Sequence, residues 1–151
     1  MFSNILLAVD GSDLSLRAAR QGITLANSLK ARVVVLTVTI PSSTDFAREL
    51  AVVVPEVVVP HRESDAKREA AAAHILHQVV REAHAAGVRA RPLHRCHHDP
   101  YRAIVATALH EACDLIVIGS PWRSIGGAVL GGEAMRILNH TTVPVLVCRG
   151  S

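Results

Sequence analysis

Five glycines, Gly119, Gly126, Gly127, Gly131 and Gly132, fall within the stretch GSPWRSIGGAVLGGEAMRIL, residues 119–138. Glycine lets backbone N–H groups come close to an anion, so the spacing suggests a loop that cradles a phosphate at the start of a helix. Arg123 adds a cation to it. Trp122 and Glu133 run against that chemistry: the ring either fills the phosphate position or stacks on a base, and the carboxylate opposes a phosphate oxygen. A second cluster, AVDGSD (residues 8–13), sets Asp10 beside Gly11 and Ser12. An acid next to such backbone suits a ribose hydroxyl and a phosphate, with Asp10 able to stand near a magnesium ion. Asp-Gly-Ser is also plain turn and helix-cap chemistry.

Other residues carry weaker signals. The chain has nine histidines; His74, His77 and His84 share a helical face, and CHHD (96–99) groups two more with a thiol and a carboxylate. Arg81 stands among the first set and repels a cation, while adjacent His97 and His98 point in different directions, so both sets read as solvated surface and no metal site is expected. Ser12, Ser120 and Asp10 offer a nucleophile and a base, but IGSPW misses the G-x-S-x-G pattern at its first glycine, and no catalytic set is expected.

These residues must be held by elements that the apolar pattern defines. NILLAV (4–9), RVVVLTVTI (32–40), DLIVIGS (114–120) and VPVLVCR (143–149) read as buried parallel strands, and VRARPLHRC (88–96), interrupted by Pro92, as a sheet-edge strand. Between them, Ser12 caps a helix whose inner face is Leu16, Ala19, Ile23 and Ala26. A helix over 65–86 buries Ala72, Leu76, Val79 and Ala83 and ends at Gly87. Asp99 and Pro100 open a third, to about Ala112, with Asp99 as a capping carboxylate, and a short fourth spans 132–140. Pro41, Pro55 and Pro60 mark a long excursion containing AVVVPEVVVP, whose valines need a cover or a partner protein at Ala51–Pro60.

In open parallel sheets ligands bind beyond the carboxyl ends of strands where the strand order reverses. That rule selects the positions after the first, second and fourth strands. The bulk numbers bound the rest: 151 residues, half of them apolar, fit one domain spanning 1–151. The net charge is +3, but the basic residues are dispersed and aromatics amount to 3%, which argues against a nucleic-acid partner. No apolar run is long enough to span a membrane and residues 1–10 lack the features of a signal peptide, so a cytoplasmic location is expected and NHT (139–141) is not read as a glycosylation acceptor. Cys96, Cys113 and Cys148 are too scattered for a disulfide framework and read as reduced core residues.

Three segments, NILLAVDGSDLSLRAARQGITLA, DPYRAIVATALHEACDLIVIGS and GGEAMRILNHTTVPVLVCR, together resemble the universal stress protein domain, in order and over nearly the whole chain. The resemblance implies an α/β fold with an open, doubly wound five-stranded parallel sheet of order 3-2-1-4-5, adenine-nucleotide α-hydrolase-like. It also implies a homodimer through the last strand, Val143–Arg149, and in many members ATP at the switch point. Candidate nucleotide contacts are then Ala8, Val9, Asp10, Val38, Ile118, Gly119, Trp122, Arg123, Gly131 and Gly132. Family loops take the form Gly-x2-Gly-x9-Gly-Ser/Thr. Here Gly119 matches the first glycine and Trp122 replaces the second; the last pair is Gly132-Glu133 or, counted back from Pro144, Gly131-Gly132. Neither register supplies the hydroxyl. The expected function is a small cytoplasmic stress-response protein that acts by binding, with a degenerate nucleotide loop. The alternative is an ATP-binding member, with magnesium, showing at most slow hydrolysis from positioning alone.

Overall fold

The structure, a computed structural model, describes residues 1–41, 62–121 and 132–150. The AVVVPEVVVP run, Trp122, Arg123 and Gly131 lie outside the described residues. Strands β1 (Asn4–Ala8), β2 (Arg32–Thr39), β3 (Ala90–Cys96), β4 (Leu115–Pro121) and β5 (Val145–Gly150) alternate with helices α1 (Asp13–Leu29), α2 (Arg62–Ala85), α3 (Pro100–His110) and α4 (Gly132–His140). The sheet is parallel, with order β3-β2-β1-β4-β5. Among the described residues no helix is long and apolar enough to cross a membrane.

Continuous apolar strands follow from burial on both faces, since successive side chains point to opposite sides. Ile5, Leu7, Val33, Val35 and Val117 face α1 and α2, meeting Ala19, Ile23, Ala26, Val79 and Ala83. Leu6, Val34, Leu36, Ile116 and Ile118 face the other way, onto Ile104, Ala108, Ala134 and Ile137 of α3 and α4. The expected inner stripe of α2 is buried at Ala72, Leu76, Val79 and Ala83, with His74, His77, Arg81 and His84 outside. Among the described residues no three His, Cys, Asp or Glu side chains gather as a metal site.

Four local readings change. The edge strand begins at Ala90 instead of Val88, because Val88 closes α2: its N–H donates to Ala83 O at 2.9 Å and the Gly87 N–H to His84 O at 3.0 Å, with Gly87 at φ +77°. Cys113 and Cys148 are buried, but Cys96 is exposed, because it ends a strand with a neighbour on one side only. α3 stops at His110, and Ala112 at φ +54° turns the chain into β4. Asp99 stands at the cap position of α3, yet its side chain makes no capping hydrogen bond.

Candidate functional site

The strand order reverses between β1 and β4, where β1 leads to α1 on one face of the sheet and β4 to α4 on the opposite face. A cavity of about 560 Å³ opens there, within the usual range for small-molecule sites. Its walls are mostly apolar: Leu36, Val38 and Ile40 along β2 and beyond, Ile118 at β4, Ile104 on α3 and Ile137 on α4. Of the residues selected from sequence, Ala8, Val9, Asp10, Val38, Ile118 and Gly119 line it together. Gly132 does not; it is exposed at the start of α4, and a Cβ there would meet nothing within 4 Å.

The polar side is small and tightly organised. Ser12 caps α1, its Oγ accepting the Ser15 N–H at 3.2 Å. The Ser15 hydroxyl donates to Ser12 O at 3.0 Å and accepts the Asp10 N–H at 3.2 Å. The Asp10 carboxylate accepts the Ser12 N–H at 2.9 Å. Partial burial pushes that carboxyl up, and the hydrogen bonds from Ser12 and Ser15 outweigh it, holding the group below its usual 3.8.

Gly119 earns its place by packing as much as by exposure to the cavity. A Cβ on it would lie 3.0 Å from Leu14 Cγ and 3.1 Å from Leu14 O, so the first turn of α1 sits directly against the β4 backbone. Leu14 also lies against Gly150, where an added Cβ would come within 3.2 Å of both its methyl carbons.

The opposite wall gives Glu133 a role that sequence reasoning missed. Glu133 faces the cavity from α4, and its Oε1 accepts the Tyr101 N–H of α3 at 2.6 Å. It therefore performs the capping role that Asp99 leaves unfilled, on a helix other than its own. Arg136, one turn on, places Nη1 3.8 Å from Glu133 Oε2 and its guanidinium 5.8 Å from the Tyr101 ring centre, and the His140 ring centre lies 4.9 Å from that of Tyr101. Pro100, Ser12, Leu14, Ser15 and Ala134 complete the wall. The only sequence signal for them was their place in helix first turns next to strand ends.

Among the described lining residues the ionisable ones are Asp10 and Glu133, both acids. Ser120, considered as a nucleophile, is buried within β4 and is not part of the wall. A hydroxyl–imidazole pair does occur, Thr39 Oγ1 to His94 Nε2 at 2.7 Å across β2 and β3, but neither residue lines the cavity. His97 Nδ1 accepts the Asp99 N–H at 2.9 Å in a local turn.

The comparisons with known proteins agree with this fold. A family model described as the universal stress protein family matches residues 1–149. The chain is 30% identical to universal stress protein YxiE of Bacillus subtilis (strain 168), over 99% of this chain and 100% of that one. Its fold is similar to that of hypothetical protein MJ0577, with TM-score 0.79 and 20% identity over 100% and 98% of the two chains. It is similar as well to a universal stress protein solved in complex with cAMP, with TM-score 0.72 and 23% identity over 99% and 98%. With the strand order, the cavity at the switch point and the match over almost its full length, the chain belongs to the universal stress protein family.

Proposed function

We propose that this chain is a stress-response protein that works by binding a ligand of the adenine-nucleotide class in the cavity beyond β1, β2 and β4, without turnover. The observation that carries the reading is the cavity itself, where Ala8, Val9, Asp10, Val38, Ile118 and Gly119 converge on one apolar chamber. A flat base fits between branched aliphatic walls, and Asp10, fixed by Ser12, is oriented to accept from ribose hydroxyls. A structural relative holding cAMP supports the ligand class. The hydroxyls of the described lining, Ser12 and Ser15, are used in capping α1 and in fixing Asp10, which supports binding over catalysis.

Magnesium and a triphosphate belong to the weaker version of this reading. Asp10 is the acid that would meet the metal, and Trp122, Arg123 and Gly131 would meet the phosphates, as contacts read from sequence only. The cytoplasm is the matching location, and a homodimer through the last strand the matching assembly. β5 is an edge strand, and Leu146 on it and Met135 and Leu138 on α4 are exposed apolar side chains.

Calorimetric titration with AMP, cAMP and ATP, with chromatography of the mixture after prolonged incubation, tests the reading. Saturable binding with nucleotide recovered intact is the expected result. Steady formation of ADP or AMP from ATP would overturn the absence of turnover, and no heat from any ligand at millimolar concentration would overturn the ligand class.

A further inference from the structure

The amino ends of the strands lie at the far end of the sheet from the cavity described above, and the chain there, residues 1–3, 30–31 and 86–89, is described throughout. A second cavity of about 510 Å³ opens at this end, lined by Asn27 and Lys30 at the close of α1, Arg32 at the start of β2, Gly87 and Arg89 between α2 and β3, and Ser3 before β1. Backbone geometry sets its three cations in place. α1 ends on Lys30, whose N–H reaches back to Ala26 O and Asn27 O with φ at +55°. α2 ends in a left-handed turn as well, at Gly87 with φ +77°, the residue type that adopts it freely. Lysine is the less favourable choice for such a turn, and what it adds is a charge. Arg32 and Arg89 stand one position before Val33 and Ala90, which are paired across β2 and β3, so two arginines start neighbouring strands. The Arg32 N–H donates to Ser3 O at 3.0 Å and Arg89 O accepts the Val33 N–H at 2.8 Å, which fixes both backbones. All three cations are exposed, and among the described residues none is in an ion pair, whereas Arg20 pairs with Glu82 and Arg91 with Glu111. The two helix ends contribute about half a negative charge each, so three cations leave a net of roughly two positive charges. Asp114, bonded to Ser3, has its oxygens occupied by the Ser3 N–H and hydroxyl at 2.8 and 3.1 Å and the Asn4 N–H at 3.1 Å.

We propose that this second cavity binds a small phosphorylated anion through Lys30, Arg32 and Arg89, with the Asn27 carboxamide as a further donor. The site is separate from the cavity beyond β1, β2 and β4, and the inference is independent of what binds there. Like charges gathered at one place repel one another, and an anion shared among them turns that repulsion into attraction. The net charge matches a phosphate dianion; guanidinium forks suit its oxygens, and the lysine adds a point charge. The site is a concave space between two helix ends, which suits a free molecule better than a headgroup held in a membrane plane.

The test is calorimetric titration of the intact chain with inorganic pyrophosphate, at low salt and without magnesium, on the wild type, Lys30→Gly, Arg89→Gln and Lys67→Gln. Pyrophosphate carries the phosphate charge without a base. Glycine suits the left-handed turn at position 30, so Lys30→Gly removes the cation and keeps the end of α1. Lys67 is exposed on α2 and does not line the cavity, which makes Lys67→Gln the control for overall charge. The expected result is saturable binding to the wild type, weakened at least about fivefold in Lys30→Gly and in Arg89→Gln and by less than about twofold in Lys67→Gln. Equal weakening in all three variants would overturn the site in favour of attraction by net charge. Unchanged affinity in Lys30→Gly or in Arg89→Gln would overturn the shared cradle and place the anion elsewhere. No heat from the wild type at millimolar pyrophosphate would overturn the site outright. Co-sedimentation with phosphatidic acid vesicles without binding of free pyrophosphate would overturn the free ligand and make this end of the sheet a membrane contact.

Discussion

Gly119 and Asp10 show how single residues carry two duties at this site. Gly119 lines the cavity, yet its missing side chain is first required by Leu14, whose carbonyl would lie 3.1 Å from any Cβ. Gly119→Ala is therefore expected to destabilise the fold by about 1–3 kcal/mol through overpacking, measured by urea denaturation, whatever it does to a ligand. An unchanged midpoint would show that Leu14 gives way freely. Asp10 is held ionised by Ser12 and Ser15 against the effect of its burial, so its folded pKa lies below the unfolded value of 3.8. The sign follows: its contribution to stability is present above 3.8 and is lost as pH falls through the folded value. Asp10→Asn should lower the neutral limb of the stability–pH curve slightly, flatten its fall below about pH 4 and leave its acid limb in place. The effect is small because Asp10, though partly enclosed by the cavity wall, keeps much of its surface in solvent, which screens its charge. Asp114, lowered by donors from Ser3 and Asn4 against its own burial, responds in the same window at the far end of β1 and serves as the comparison.

At the scale of elements, α3 and α4 are fastened by a bond that neither helix contains. Glu133 is 32 positions from Tyr101 in sequence, so local pattern assigned the capping role to Asp99, the residue with the right type in the right place. Only the packing of α4 beside α3 reveals which carboxylate does it. Glu133→Ala is expected to cost about 0.5–2 kcal/mol, the usual loss for a helix cap, while Asp99→Ala should cost less by the same thermal or urea measurement. Equal losses would contradict the assignment. The strands and the long helices were legible because burial on two sheet faces and on one helix stripe writes itself into period and run length. Cys96 was not, because an edge strand exposes positions that look apolar in sequence. The role of Gly119 was half legible: the sequence marks where backbone comes close to something, and here that something includes Leu14.

At the scale of the whole molecule, the sheet order puts the cavity at the carboxyl ends of β1, β2 and β4 and leaves β5 as an edge. The strand rule and the family resemblance both led to the same place, and six of the ten residues selected from sequence meet there. Trp122, Arg123 and Gly131 lie outside the described residues, and Gly132 is exposed and not among the lining residues. If β5 joins two copies, Leu146→Lys should convert a dimer to a monomer in analytical ultracentrifugation with no loss of secondary structure, since a charge on a pairing edge opposes association. A wild type that sediments as a monomer at high micromolar concentration would contradict the dimer. The central claim, that an adenine-class ligand sits in this cavity, is tested most directly by titrating adenosine into the wild type and into Val38→Trp, with thermal melting to confirm that both are folded. Val38 is a half-buried wall residue at the end of β2, so an indole there fills the space the base would take. Adenosine affinity falling at least about tenfold in a folded Val38→Trp is the result expected; the same affinity in both proteins would place the ligand elsewhere and contradict the account.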